Sequence, residues 1–372
     1  MVKQMNILVT GGAGFVGSHL VDELVKKHEV VIYDNLEPQV HNGVPDYLNS
    51  SAEFIKEDIR DRDKLKKAIV DSEIIFHEAA MVGVGQSMYQ IERYMDVNTM
   101  GTAKLLDILA NEEHDVKKLV VASSMSIYGE GKYECPECGI VHPYPRRNEQ
   151  LKHREWEMKC PSCGKVAMPL PTDEKKPLQP TSIYAISKKD QEEMCLTIGQ
   201  AYGIPVVALR YFNIYGPRQA LSNPYTGVCA IFSSRIKNNN PPIIFEDGLQ
   251  TRDLISVHDI VRANILVMEN SRADYEMFNV GTGKCISILD IANTLSELYG
   301  KDFKPEIVNK YRSGDIRHCY ADISKLKKLG FEPSISFESG MSELVNWGET
   351  QVAEDYSEIA VAELKERGLV EN

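Results

Sequence analysis

The chain has 372 residues, 43% of them apolar, enough for one large or two modest domains around a sizeable core. A formal net charge of −12 argues against nucleic acid or an anionic membrane as a main partner. No stretch approaches transmembrane length, and Met1-Val2-Lys3-Gln4-Met5 enters a predicted strand at once, without room for a signal peptide, so a cytoplasmic protein is expected.

The first element is the apolar run Asn6 to Val9, the pattern of a buried parallel strand. Thr10-Gly11-Gly12-Ala13-Gly14-Phe15-Val16-Gly17 follows, and then an amphipathic stretch, His19 to Lys27, that predicts a helix. Strand, glycine turn and helix in that order form the dinucleotide-binding fingerprint. Gly11 permits the tight turn, Gly14 lets backbone N–H groups approach a pyrophosphate, and Gly17 allows close helix–strand packing. A second strand, Glu29 to Tyr33, ends at Asp34, whose carboxylate would bind a ribose 2′-hydroxyl and repel a 2′-phosphate. No arginine stands in Asn35-Leu36, so NAD is expected rather than NADP.

Further strands are predicted at Ala52 to Asp58, at Glu73 to Phe76 running into His77-Glu78-Ala79-Ala80, at Lys117 to Ala122 before Ser123-Ser124, and at Pro205 to Tyr211. Their alternation with amphipathic stretches predicts an α/β fold, a doubly wound parallel sheet of Rossmann type. Asp34, Asp58, Ala79, Ser124 and Tyr211 would then meet at the ligand-binding edge of the sheet. Residues 1–213 are read as the nucleotide-binding domain. Residues 214–372, with shorter elements, are read as a smaller substrate-binding region from which some segments return to the first domain.

Between two of these strands lies an insertion, residues 131–171, with the knuckles Cys135-Pro-Glu-Cys138-Gly and Cys160-Pro-Ser-Cys163-Gly. Two Cys-x-x-Cys turns supply four thiolates, a closed tetrahedral set that predicts a structural zinc ribbon. Two disulfides or a redox pair are the alternative, against which the repeated form and a reducing compartment weigh. The insertion holds seven Lys or Arg and five Asp or Glu. Four thiolates on one zinc ion add about −2, which cancels that excess and argues against a nucleic-acid-binding ribbon. A lid, a substrate-loop brace and a subunit contact stay open as its role. Cys195, Cys229, Cys285 and Cys319 stand alone and read as small apolar residues.

Tyr184-Ala-Ile-Ser-Lys188 reads as one helical turn that puts both side chains on one face. An ammonium beside a phenol favours the phenolate, so a lowered Tyr184 pKa and acid/base chemistry near neutrality are expected.

Together these residues resemble the extended short-chain dehydrogenase/reductase family, in particular its nucleotide-sugar epimerases and dehydratases. The resemblance runs along nearly the whole chain. It is carried by the Gly11–Gly17 loop, Asp34, Asp58-Ile59, His77-Glu78-Ala79-Ala80, Asn98, Ser123-Ser124-Met125-Ser126-Ile127-Tyr128-Gly129, Tyr184 with Lys188, Arg210-Tyr211-Phe212-Asn213, Thr251-Arg252-Asp253 and Arg312-Ser313-Gly314-Asp315. It implies that Tyr184 is the acid/base, that Ser124 bonds the sugar C4 oxygen and that Lys188 also holds the nicotinamide ribose. Gly11, Gly14, Phe15, Val16, Gly17, Asp34, Asn35, Asp58, Ile59, Ala79, Ala80, Asn98, Ser123, Tyr184, Lys188 and Tyr211 would contact the cofactor. Asn213, Arg252 and Arg312 would hold the substrate's diphosphate or sugar, and Asp315 its nucleotide ribose.

Sugar dehydratases look for Asp-Glu after the serine; Met125-Ser126 here can supply no acid or base for elimination, and epimerases resemble this pattern better. Cys319 falls where a side chain limits room around the sugar in UDP-hexose 4-epimerases, and a small residue there implies space; ordinary packing is the alternative. Val82 stands where some UDP-galactose epimerases carry a lysine against the cofactor. Asp34-Asn35-Leu36-Glu37-Pro38-Gln39 and Asn223-Pro224-Tyr225-Thr226-Gly227 resemble zinc-insert members described as dTDP-L-rhamnose 4-epimerases. A nucleotide-sugar substrate and a homodimer, through the helices after Ile91 and Ser182, are implied.

Overall fold

The computed structural model describes residues 3–312 and 314–371; Met1-Val2 of the N-terminal reading and Ser313 of the Arg312–Asp315 motif lie outside the described residues. Seven strands form a central sheet: β1 (Asn6–Thr10), β2 (Glu29–Asp34), β3 (Glu53–Lys56), β4 (Ile74–His77), β5 (Lys118–Ser124), β6 (Val206–Tyr211) and β7 (Glu276–Val280). Their order is β7-β6-β5-β4-β1-β2-β3, and every neighbouring pair is parallel.

The strand sequences explain the burial on both faces. Ile7, Val9, Phe76, Val120, Val207 and Leu209 point into one apolar layer, while Leu8, Ile75, Leu119, Val121, Val206 and Ala208 point into the other. Alternate residues on a strand face opposite sides, so a sheet covered by helices on both faces requires apolar residues throughout. Each fully buried Val, Leu or Ile contributes about 1.5–3 kcal/mol. The sheet order reverses between β1 and β4, and a crevice opens there at the C-terminal strand ends.

Helix α1 (Phe15–Leu24) leaves the glycine turn, about one turn earlier than the periodicity alone indicates. Helix α2 (Ile183–Tyr202) begins at the Ser182 N-cap, which accepts the Ala185 N–H at 3.1 Å, and ends at Gly203 in the left-handed conformation. The insertion makes its own antiparallel sheet from Lys132–Cys135, Gly139–Val141 and Met168–Leu170. Its end bridges back at Thr172↔Ala321. Strand β7, late in the chain, returns to the sheet edge beside β6. The final segment is helix α3 (Ser357–Glu366) and the short strand Val370–Glu371, which pairs antiparallel with Tyr311–Arg312. Among the described residues no helix is long and apolar enough to cross a membrane.

Candidate active site

The strand ends open into one cavity of about 640 Å³. On one side it is walled by the glycine turn. Gly11 has φ +72°, and a Cβ there would stand 2.7 Å from the Ala79 nitrogen; a Cβ on Gly17 would stand 2.2 Å from the Gly11 oxygen. Strands β1 and β4 and helix α1 therefore meet through bare backbone. Gly14 caps α1 with no side-chain hydrogen bond, and Gly14, Phe15, Val16 and Gly17 line the cavity, so the helix start faces it with unused N–H groups. Asp34, at the end of β2, is oriented by the N–H groups of Ala13 (3.1 Å) and Leu36 (2.8 Å), while desolvation raises its pKa. Asn35, Ile59, Ala79 and Ala80 complete that wall. Donors at a helix start, absent Cβ atoms and an acid at the end of the second strand suit a dinucleotide.

Two expected cofactor residues stand behind this wall. Asp58 is tied to Arg60 (2.7 Å) and to the Asn35 amide (2.9 Å), and Arg60 holds its carboxyl well below the usual range. It reaches the cavity only through Asn35. Asn98 is fully buried in a π-helical turn, Met95–Met100. Its amide accepts the Met81 N–H (2.7 Å), donates to the Met81 carbonyl (3.1 Å) and donates to Ser187 Oγ on α2 (2.9 Å). It fixes the loop after β4 and does not itself line the cavity; π-turns are common near functional sites.

The hydroxyls of Ser124 and Tyr184 line the same cavity as the glycine turn. Ser124 ends β5, and its Oγ accepts from Ser126 Oγ (2.9 Å) and Ser126 N (3.2 Å). Tyr184, in the first turn of α2, donates its backbone N–H to Ser87 Oγ at 3.0 Å. Desolvation raises the pKa of its phenol, and the neighbouring Ser124 hydroxyl lowers it by less. The expected lowering by Lys188 is thereby corrected. Lys188 Nζ is turned to the Ala122 carbonyl (2.7 Å) and Gln191 Oε1 (3.0 Å), and desolvation brings it down to about 8. Ser123 and Tyr211 line the cavity, but their hydroxyls donate to Glu192 (2.6 Å) and Glu78 (2.8 Å).

The far side carries the charge. Arg252 donates to the carbonyls of Thr251 (2.8 Å), Ile316 (2.9 Å) and Arg317 (3.1 Å), and has no carboxylate partner among the described residues. Arg312 bonds Asp315 (2.8 Å) and lies 4.7 Å above the Phe245 ring. Asn213 lines the cavity with its Oδ1 lacking a hydrogen-bond partner, an acceptor left for a ligand. Cys319 corrects the reading of a roomy sugar site. It is 1% exposed among Met125, Tyr128 and Phe212 and does not line the cavity, so packing is its role.

The sequence did not single out several lining residues. Glu78 sits within a quoted motif; desolvation pushes it up to about 7, against its bond from Tyr211 and the attraction of Lys188. Arg235, paired with Asp355 at 3.1 Å, and the apolar residues of the final segment carry no local signal. Val82 lines the cavity, as its motif position implies.

Away from the cavity, the Sγ atoms of Cys135, Cys138, Cys160 and Cys163 all lie within 4.8 Å of one another, with Cys135 and Cys163 3.5 Å apart, and all four are free thiols. Metal–sulfur bonds of about 2.3 Å in a tetrahedron put sulfurs about 3.8 Å apart, so the cluster could hold a metal ion.

The model of the NAD dependent epimerase/dehydratase family matches residues 7–148 and 161–281, leaving the middle of the insertion out. A dTDP-L-rhamnose 4-epimerase of Burkholderia thailandensis is 35% identical over 93% of this chain and 96% of its own. The solved UDP-N-acetylglucosamine 4-epimerase of Methanobrevibacter ruminantium, in complex with UDP-N-acetylmuramic acid, is 33% identical with TM-score 0.76, covering 94% of this chain and 100% of that one. A Thermus thermophilus UDP-glucose 4-epimerase in complex with NAD is 29% identical with TM-score 0.74, covering 94% and 100%. With this fold, the glycine cradle and the Ser124–Tyr184 pair on one cavity, the chain belongs to the NAD dependent epimerase/dehydratase family, within the extended short-chain dehydrogenase/reductases.

Proposed function

We propose that the protein is an NAD-dependent nucleotide-sugar 4-epimerase that inverts C4 of a UDP- or dTDP-linked hexose through a 4-keto sugar. The observation that carries this is the single cavity shared by the glycine cradle, the neighbouring Ser124 and Tyr184 hydroxyls, and the guanidinium groups of Arg252 and Arg312. Bound NAD would supply the hydride acceptor and return the same hydride. Tyr184, as phenolate, takes the C4 hydroxyl proton and gives it back to the oxygen after the keto sugar has turned. Ser124, held by Ser126, positions the C4 oxygen. Lys188, whose ammonium rests on the Ala122 carbonyl and Gln191 Oε1, would hold the nicotinamide ribose. Arg252 and Arg312 grip the diphosphate by charge-assisted hydrogen bonds while the sugar turns. Met125 and Ser126 offer no acid or base for elimination, which sets the dehydratases aside.

The four-cysteine cluster is read as a structural zinc site, closed to substrate because the protein supplies all four ligands. A homodimer is read from the exposed apolar residues Ile91, Met100 and Ile186 on the helices after Ile91 and Ser182. The net acidity and the cysteines, none paired as a disulfide, fit a cytoplasmic enzyme without nucleic-acid or membrane partners.

The test is incubation of the purified protein, with no added cofactor, with UDP-glucose, UDP-N-acetylglucosamine and dTDP-L-rhamnose, followed by chromatography. A C4 epimer formed without nicotinamide turnover is expected and names the sugar. Turnover only with added NAD would replace the epimerase by a net oxidoreductase. Nicotinamide binding without any sugar-nucleotide binding would point to a sensor.

A further inference from the structure

The final segment, residues 355–371, is fastened to three walls of the cavity. At its start Asp355 pairs with Arg235 at 3.1 Å, and both side chains are buried. In its middle Glu363 accepts from Tyr225 Oη at 2.8 Å. Tyr225 also bonds Tyr89 at 2.8 Å, and Arg367 covers the Tyr89 ring at 4.2 Å. At its end Val370 and Glu371 pair with Arg312 and Tyr311. Arg235, Tyr225 and Arg312 all line the cavity.

What the segment presents inward is mostly apolar: Ala360, Val361, Leu364 and Leu369, with Ser357. Leu364 packs in a cluster with Phe245 and Val370 that also includes Val361, Leu369 and Ile243. Across the opening it faces Gly85, where a Cβ would lie 3.4 Å from Leu364 Cδ1. The segment thus spans from the loop after β4 to the strand of Arg312.

Its place along the substrate follows from the linear order sugar, diphosphate, nucleoside. This step rests on the epimerase reading. The sugar sits at Ser124 and Tyr184, and the diphosphate at Arg252 and Arg312. The nucleoside then lies beyond, where Phe245 and the final segment stand. An apolar wall there cannot bind phosphate, but it can bury the flat face and edge of a base. By excluding water it also strengthens the pull of Arg252 and Arg312 on the diphosphate. We propose that the 355–371 segment is the wall of the nucleoside subsite, with Val361 and Leu364 as its positioning residues for a pyrimidine nucleoside diphosphate.

Calorimetric titration of UDP and of dTDP into the full-length protein tests this, with extracted NAD per chain and Tm measured in parallel. The Leu364→Ala variant is expected to weaken both nucleotides at least ten-fold, with NAD content at the parent's level. Because Leu364 is buried and its loss can loosen the fold, Val361→Trp, which fills the cavity from a half-buried position, is the second variant, with the same expected loss. Parent protein that binds neither nucleotide would overturn the substrate reading and the proposal with it. Parent protein that binds, with Val361→Trp or a folded Leu364→Ala binding equally well, would overturn the wall alone.

Discussion

The Arg146 guanidinium donates two hydrogen bonds of 2.8 Å to the Glu246 carboxylate across 100 residues of chain, with both side chains buried. Arg146 belongs to the insertion and also donates to the Asp315 carbonyl at 3.2 Å; Glu246 also receives Arg317 at 3.1 Å. Arg317 in turn offers its carbonyl to Arg252. The insertion is therefore keyed to the backbone that presents Arg252 and Asp315 to the cavity. Removing Arg146 leaves the buried Glu246 carboxylate with Arg317 as its remaining cation. Arg146→Ala is expected to lower stability by less than the about 3–5 kcal/mol of a buried charge left wholly unpaired, and Arg146→Met with Glu246→Leu by less again. Thermal unfolding of the three proteins checks this.

Metal removal should be felt at the same place. Elemental analysis is expected to find one zinc ion per chain, and Cys135→Ser to lose it. Because Trp156 packs on Tyr311, next to Arg312, the stripped protein should bind UDP and dTDP more weakly while retaining NAD. Unchanged nucleotide affinity after full zinc loss would show that the insertion does not brace the site.

Gly17→Ala places a methyl group 2.2 Å from the Gly11 oxygen, so helix α1 must move away from the turn it presses on. Protein purified from this variant is expected to carry little or no NAD. Extraction and absorbance measurement of the bound nucleotide decide the point.

Tyr184→Phe keeps the ring and removes the acid/base. Turnover should fall by about two to four orders of magnitude with NAD still bound. Near-parental activity would end the mechanism.

His19 gives the pH dependence of stability a sign. Desolvation brings it down to about 4 from 6.5, and its Nε2 lies 3.0 Å from the Pro217 carbonyl. Between these values the unfolded chain binds a proton that the folded chain refuses. Stability therefore falls as pH drops from 6.5 towards 4 and gains nothing from this group above 6.5. Denaturant melts should show a shallower slope in that window for His19→Gln than for the parent.

Features set by neighbours in the chain could be read from the sequence alone. The turn at Gly11–Gly17, the acid ending β2 and the pairing of knuckles at Cys135 and Cys160 depend on spacing of a few residues, and so did the strands, because a sheet covered on both faces demands continuous apolar runs. What required the tertiary structure was direction and long-range landing. Lys188 is one turn from Tyr184 on the same helix, yet its ammonium points to the Ala122 carbonyl, because a buried cation goes where acceptors are. Cys319 occupies a motif position but turns into the packed cluster around Phe212. The mixed charge of the 355–371 stretch does not single it out in the sequence, and its contribution to the cavity follows only from Arg235, Tyr225 and Arg312 lying where it arrives. Local spacing determines which groups are available; packing among residues far apart in the chain decides which of them face the substrate.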